Sequence, residues 1–149
     1  MPAVEESVHI ALPPREVFDF LSRFENLAVF DRFVLASGQV GDGPVGVGTR
    51  GRGTSSYMGQ RSDWTIEYTE FQPPRRMVSR SVEGKRDVTV TFGFEPVDGG
   101  TRVTERIEVR SGLGFLDKVP APLVRLLLGW SLRGNLKALA KWLAEHPNT

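Results

Sequence analysis

The stretch PAPLVRLLLGWSLRGNLKALAKWLAE, Pro120 to Glu145, lies near the C-terminus and decides the fold. We read it as one long helix. Its apolar residues are interrupted by two arginines and two lysines, which is too much charge for a membrane span. A helix of this kind must bury its apolar stripe against another part of the protein.

Upstream of this helix the chain predicts a sheet. Apolar residues alternate from Val4 to Leu12, which indicates a first strand. Pro13 and Pro14 end that strand and start a short helix, and a second helical turn covers Asn26–Phe30. Period-two patterning then predicts six strands, near residues 33–40, 48–58, 61–71, 75–82, 85–96 and 100–110.

The order of elements predicts an α+β helix-grip fold. A curved seven-stranded antiparallel sheet wraps around the long C-terminal helix, and two short helices follow strand one. The concave face of the sheet is the surface available to the apolar stripe of the helix. We expect one domain over residues 1–149, with 144–149 as a frayed tail.

Composition excludes several classes of function. The chain has 149 residues with 40% hydrophobic and 25% charged, which is typical of a globular domain. It contains no cysteine and only two histidines, His9 and His146, so we expect no metal site and no cofactor. A net charge of +1 argues against nucleic-acid binding. The N-terminus is acidic and lacks an apolar run, so we expect a cytoplasmic protein.

Two hairpins predict which residues face inward. A two-residue turn at Gly59-Gln60 pairs Met58 with Arg61 and gives an inner face with glycines at 51 and 53 opposite large side chains. The outer face then includes an Arg52–Glu67 pair. A turn at Asp98-Gly99 sets the second hairpin with these pairs: Phe94 with Val103, Phe92 with Glu105, Val90 with Ile107, Val88 with Val109.

Several segments resemble the START-like (SRPBCC) superfamily, specifically its polyketide cyclase/dehydrase-like branch. The matching segments are Ile10–Phe18, Val45–Arg50, Phe71–Arg75, Gly99–Thr104 and Leu136–Glu145. The resemblance implies a deep apolar cavity between the helix and the sheet. Members bind lipids, sterols, polyketides, hormones or quinones, and a few catalyse ring closure or dehydration. Phe30 or Phe33 takes the place of an aromatic residue that the family commonly has after the short helices.

The candidate site residues each have a structural alternative. Glu105, on an otherwise apolar face, is a candidate general acid or base, but it is equally compatible with an ion pair or a position at the cavity mouth. The hydroxyls of Tyr57 and Tyr68 suit a ligand or a backbone partner. Space over the two strand glycines suits a ligand or neighbouring aromatic rings. We predict these ligand-contacting residues: Phe30, Phe33, Gly51, Gly53, Tyr57, Trp64, Ile66, Tyr68, Val90, Phe92, Phe115, Leu128, Leu132 and Asn135.

Three surface features stay open at this point. Arg80 points outward if the Glu83-Gly84 turn has two residues and inward if it has three. The loop from Ser111 to Leu116 either gates the pocket or caps the core. A line of basic residues on the long helix is expected to face solvent, and contact with an anionic membrane is the less favoured alternative: Arg125, Arg133, Lys137, Lys141.

Two functions follow as hypotheses. The first is binding of an apolar small molecule of lipid, polyketide or isoprenoid type in the cavity. The second is a polyketide cyclase or dehydratase in which Glu105 or a tyrosine moves a proton. A scaffold for protein partners has little support, because exposed hydrophobic residues are sparse and charge is balanced. The expected partner is a hydrophobic small molecule, and the oligomeric state is open.

Overall fold

The structure is a computed structural model, and it describes residues 3–57, 59–84, 86–111 and 117–146. Its helices are α1 (Pro14–Leu21), α2 (Leu27–Phe30) and α3 (Ala121–Glu145), and a short 3-10 turn, Phe24–Asn26, precedes α2. The strands are β1 (Ala3–Ile10), β2 (Val34–Gln39), β3 (Arg50–Tyr57), β4 (Gln60–Gln72), β5 (Arg76–Val82), β6 (Asp87–Val97) and β7 (Gly100–Ser111).

The seven strands form one antiparallel sheet in the order β1-β7-β6-β5-β4-β3-β2. The sheet curls around α3, so the predicted α+β helix-grip fold is confirmed. Pro14 occupies the first position of α1, where a missing N–H is tolerated because that group has no partner within the helix. No helix in the described part of the chain is both long and apolar enough to cross a membrane.

The two halves of α3 have different surroundings. The C-terminal half packs in the core, where Leu136, Leu139 and Leu143 are almost fully buried. Phe18 of α1 belongs to the same core cluster and meets the rings of Phe71 and Phe94 edge-on at 5.1 Å between centroids. The N-terminal half instead faces open space beneath it. The core therefore fills one end of the fold and leaves the other for a cavity.

The outer surface agrees with the sequence in two respects. The basic line of α3 is exposed at all four of its charged positions, and Arg133 contacts Glu6 of β1 at 3.5 Å. His9 is also exposed. This was predicted, because neighbouring residues in a strand point to opposite faces and Val8 and Ile10 point inward. The exposed residues form a solvated face and contribute nothing to the interior.

The hairpin predictions have mixed outcomes. The β6–β7 register is confirmed, with Phe92 opposite Glu105 and Phe94 opposite Val103. The β3–β4 register is wrong by two residues, since Tyr57 pairs with Gln60 and Gly53 pairs with Trp64. A shift of two keeps each residue on its face, so the predicted inner face still holds.

The physical reason for the shift lies in the turn. Residues 58 and 59 connect the strands, and Gly59 has φ +82°, a conformation that favours glycine. Met58, which was expected to pair with Arg61, lies outside the described residues. The expected Arg52–Glu67 pair is therefore wrong, and Arg50 bonds Glu67 at 2.8 Å instead.

Arg80 points outward, where it lies 3.8 Å from Asp87. It pairs with Thr89, so the connection between β5 and β6 is longer than either of the two turn lengths considered. Glu83 adopts φ +64° in this connection. The outward direction matches the two-residue alternative because that turn has the same parity as the observed one.

Candidate functional site

A cavity of about 960 Å³ lies between the N-terminal half of α3 and the inner faces of strands β3 to β7. Helix α2 and the start of β2 form another side of it. Its wall is predominantly apolar and aromatic by surface, and it also carries serines and several charged side chains. This volume is at the upper end of the range of roughly 300–1,000 Å³ found for small-molecule pockets.

Most of the predicted ligand-contacting residues line this cavity. Those on the wall are Phe30, Phe33, Tyr57, Trp64, Ile66, Tyr68, Val90, Phe92, Leu128, Leu132 and Asn135, together with Glu105. Phe115 and the rest of the apolar loop after Ser111 lie outside the described residues. These positions lie together on the wall because both hairpins keep their predicted inner faces. The two-residue shift between β3 and β4 does not change which side chains point inward.

The two strand glycines do not contribute to the wall. A Cβ at Gly51 would overlap the ring of Phe24, and a Cβ at Gly53 would overlap the ring of Trp64. The expectation that these glycines leave room for a ligand is therefore corrected, since the protein's own rings occupy that space. Trp64 was foreseen as a filler, whereas Phe24, in the 3-10 turn, was not.

Two aromatic residues of the cavity wall, Tyr68 and Trp64, have polar atoms that are already hydrogen-bonded within the protein. The Tyr68 hydroxyl donates to the Ser22 carbonyl at 2.9 Å, and burial raises the pKa of that phenol. Trp64 Nε1 donates to Ser55 Oγ at 2.8 Å. Tyr57 packs against Phe33, with 4.8 Å between ring centroids. Tyr68 and Trp64 therefore act as wall with fixed orientation, and Tyr57 is the tyrosine whose hydroxyl has no such backbone bond.

Glu105 lies at the centre of β7, opposite Phe92, and its residue is 8% exposed. Burial, and secondarily the nearby charge of Asp31, raises the pKa of this carboxyl to about 8. No ion pair in the described part of the chain includes Glu105. The carboxyl is thus predominantly protonated at neutral pH and presents both a donor and an acceptor to the cavity.

Asp31 is a cavity residue that the sequence reasoning missed. It follows α2 directly, and its Oδ1 accepts the Phe33 backbone N–H at 3.0 Å. Burial raises the pKa of Asp31, while this bond, a hydrogen bond from Asn135 and the charges of Arg32 and Arg86 lower it in part. Its position between two predicted ligand-contacting residues, Phe30 and Phe33, was the signal that could have identified it.

Arg86 is a second missed residue. It follows the β5–β6 connection, lines the cavity and is half-buried. Burial lowers the pKa of its guanidinium, and the charge of Asp31 opposes that shift. The sequence did not identify this residue because the alternation of inward and outward side chains cannot be continued through a loop of unknown length.

Two side chains on α3 carry oxygens without partners. Ser131 and Asn135 are 7% and 6% exposed, and both line the cavity. Ser131 Oγ and Asn135 Oδ1 have no hydrogen-bond partner within the described structure. Asn135 was among the predicted ligand-contacting residues and Ser131 was not.

The described residues contain no group of three acidic or histidine side chains able to hold a metal ion.

The fold and the cavity define a class of protein, a helix-grip domain with an internal cavity of small-molecule size. A family model described as polyketide cyclase / dehydrase and lipid transport matches residues 1–144. The chain belongs to this family. A search of the curated proteins finds no match to the sequence.

Solved structures support the same fold. TTHA0849 from Thermus thermophilus is 24% identical, with a TM-score of 0.81 over 97% of this chain and 99% of that one. A START superfamily protein from Mycobacterium smegmatis is 18% identical, with a TM-score of 0.77 over 96% and 97% of the two chains. The di-domain ARO/CYC BexL from the BE-7585A biosynthetic pathway is 19% identical, with a TM-score of 0.76 over 100% of this chain and 48% of that one.

Proposed function

We propose that this protein binds an apolar small molecule of lipid, polyketide or isoprenoid type in the cavity beneath α3. The observation that carries the proposal is the cavity itself. About 960 Å³ stays open although the rings of Phe24 and Trp64 already fill the space over the strand glycines. An apolar volume of this size costs the protein dispersion contacts unless a ligand supplies them.

The wall chemistry supports an apolar ligand. Phe92, Val90 and Ile107 on the sheet face Leu128 and Leu132 on α3 across the cavity. Removing apolar surface from water contributes about 25 cal/mol for each Å², so shape and burial dominate the affinity. The membership of a family described as including lipid transport is consistent with this role.

Fluorescence titration with N-phenyl-1-naphthylamine tests the proposal. This neutral aromatic dye should bind the wild-type protein with enhanced emission. Val90→Trp places an indole in the cavity, and we expect it to reduce the affinity at least about tenfold. Val47→Trp is the matched control, because Val47 is 69% exposed and lies outside the cavity wall. Equal binding by the two variants, both folded, would contradict the proposal.

A second candidate function, acid–base catalysis of ring closure or dehydration, is favoured by one observation. Glu105 is a buried carboxyl with a pKa of about 8, so it can donate a proton near neutral pH and take it back. The Tyr68 hydroxyl is bonded to the backbone, which leaves Tyr57 as the tyrosine for this role.

This candidate is tested by incubation with a linear poly-β-keto thioester analogue and measurement of cyclised product. Glu105→Gln should abolish product formation while dye binding persists, because the amide keeps the shape but cannot exchange the proton. Product formation that survives both Glu105→Gln and Tyr57→Phe would exclude the proposed chemistry. That result would leave binding as the function of the cavity.

A further inference from the structure

The inner face of α3 presents two oxygen atoms that have no hydrogen-bond partner in the described part of the protein. Ser131 Oγ and Asn135 Oδ1 come from residues one helical turn apart, and both residues line the cavity. Each residue is more than nine-tenths buried. Leaving a buried polar atom without a partner destabilises a fold, so such atoms call for a specific explanation. A bound ligand would supply the missing partner.

The orientation of Asn135 decides what that partner must be. Its amide lowers the pKa of the Asp31 carboxyl, and because a carboxylate accepts hydrogen bonds, the amide nitrogen is the atom that faces Asp31, while Oδ1 has no partner among the described residues. The oxygen Oδ1 is thereby directed away from Asp31 as a pure acceptor. A group that satisfies it must donate a hydrogen bond.

Ser131 and Glu105, which also line the cavity, add a complementary requirement for the ligand. The Ser131 hydroxyl and the protonated Glu105 carboxyl each offer a donor as well as an acceptor. A ligand hydroxyl can donate to Asn135 and accept from one of these groups. A ketone, an ester or a hydrocarbon has no proton to donate, and a carboxylate would add negative charge near Asp31.

We propose that Ser131 and Asn135 form a hydroxyl-recognition subsite and that the ligand is an apolar alcohol or phenol. This inference rests on the proposed binding function and specifies its ligand class. Arg61 and Arg86 are the cationic residues of the cavity wall, as described, that would favour a different, acidic ligand. Arg86 takes part in none of the ion pairs of the described residues, although the charge of Asp31 acts on it. An acidic probe therefore belongs in the test.

The test uses three fluorescent probes that share one ring system: 1-pyrenebutanol, 1-butylpyrene and 1-pyrenebutyrate. We expect the wild-type protein to bind the alcohol at least about tenfold more tightly than the hydrocarbon. Asn135→Leu should remove most of this preference while retaining hydrocarbon binding. Gln72→Leu is the matched control, because it replaces an exposed amide on β4 that lies outside the cavity.

Ser131→Ala keeps the test decisive if Asn135→Leu fails to fold. Ser131 Oγ has no hydrogen-bond partner among the residues that the structure describes, so its removal should leave the melting temperature unchanged or raise it. The same substitution should reduce the preference for the alcohol. A lower melting temperature with an unchanged preference would show a structural role and overturn the proposal.

The outcomes separate the two proposals. Equal binding of alcohol and hydrocarbon, or tightest binding of 1-pyrenebutyrate, would overturn the hydroxyl subsite while the binding function stands. The second result would place recognition at the cavity arginines, Arg61 or Arg86. Failure of all three probes, together with failure of N-phenyl-1-naphthylamine, would overturn the binding function and the subsite with it.

Discussion

The surroundings of Glu105 determine the protonation state of its carboxyl. The carboxyl has Phe92 opposite it on β6 and Glu6 opposite it on β1, and its ionised form loses hydration there without gaining a cation. Protonation is the less costly state there. The nearby charge of Asp31 acts in the same direction. The resulting neutral acid can serve either as an anchor for a ligand or as a proton donor.

The raised pKa of Glu105 predicts a pH-dependent stability. Between its ordinary value of 4.5 and about 8, the folded protein holds a proton that the unfolded chain has released. The free energy of unfolding should therefore fall as pH rises through this interval, by up to about 1.4 kcal/mol per pH unit. Above about pH 8 both states are ionised and the slope from this group vanishes. Asp31 adds a contribution of the same sign.

Urea denaturation of wild-type and Glu105→Gln protein from pH 5 to 8.5 measures this slope. The variant should be distinctly flatter, because glutamine does not ionise. Glu95→Gln serves as control, since its carboxylate is largely exposed in a surface pair with Arg102 and should change the slope little. A Glu105→Gln slope equal to that of the wild type would refute the buried-acid interpretation.

The direction of a single side chain could be predicted from the sequence only where the residue lies within a regular strand or helix. Glu105 was identified because the Asp98-Gly99 turn specifies the β6–β7 register without ambiguity. Asp31 and Arg86 were missed because each follows an element end, where neither strand nor helix periodicity assigns a direction. Ser131 was missed since a serine within an apolar helix gives no sequence signal of its own.

At the scale of single elements, β3 is shaped by what packs on it. Its inner face lacks side chains at Gly51 and Gly53, and the rings of Phe24 and Trp64 lie there instead. The sequence predicted the pairing of small with large residues, and the ring of Phe24 could not be foreseen because it belongs to a different element. Contacts between distant elements depend on the fold as a whole, which strand alternation does not encode.

Gly51→Ala tests this packing. A methyl group there would overlap the Phe24 ring, which is buried and cannot move freely, so we expect a loss of about 1–3 kcal/mol in the free energy of unfolding. Gly46→Ala is the control, because a Cβ there meets nothing within 4 Å. Thermal or urea denaturation of both variants provides the measurement. Similar stability of the two variants would contradict the assignment of Phe24.

The long helix α3 contributes both to the core and to the wall of the cavity. Leu139 is fully buried in the core cluster, whereas Leu126, on the N-terminal half, is 64% exposed. The sequence predicted the helix within one residue of its observed start, because its apolar stripe is long and no other element could cover it. It did not predict that the middle of the helix, from Leu128 to Asn135, would line a cavity.

We expect Leu139→Ala to lower the free energy of unfolding by about 2–5 kcal/mol, since it leaves a cavity in the core. Leu126→Ala makes the same chemical change on an exposed site and should stay within about 0.5 kcal/mol of the wild type. Urea denaturation compares the two directly. A small change in the free energy of unfolding of Leu139→Ala would contradict the assignment of Leu139 to the core.

At the scale of the whole molecule, the sheet and α3 enclose more volume than their side chains fill. The core cluster occupies one end, and the other retains about 960 Å³ with a mainly apolar wall. The resemblance to the family predicted a cavity of this type. Whether it stays open was not predictable, because the same aromatic residues serve equally as core or as lining.

Native mass spectrometry tests the central claim, ligand binding in this cavity, most directly. The protein would be purified from its own source, incubated with the apolar extract of the same cells, and compared with its denatured mass. We predict an adduct on the wild-type protein that extraction identifies as an apolar molecule bearing a hydroxyl, and its loss in Val90→Trp. A wild-type protein without an adduct, or an adduct that persists in folded Val90→Trp, would contradict the account.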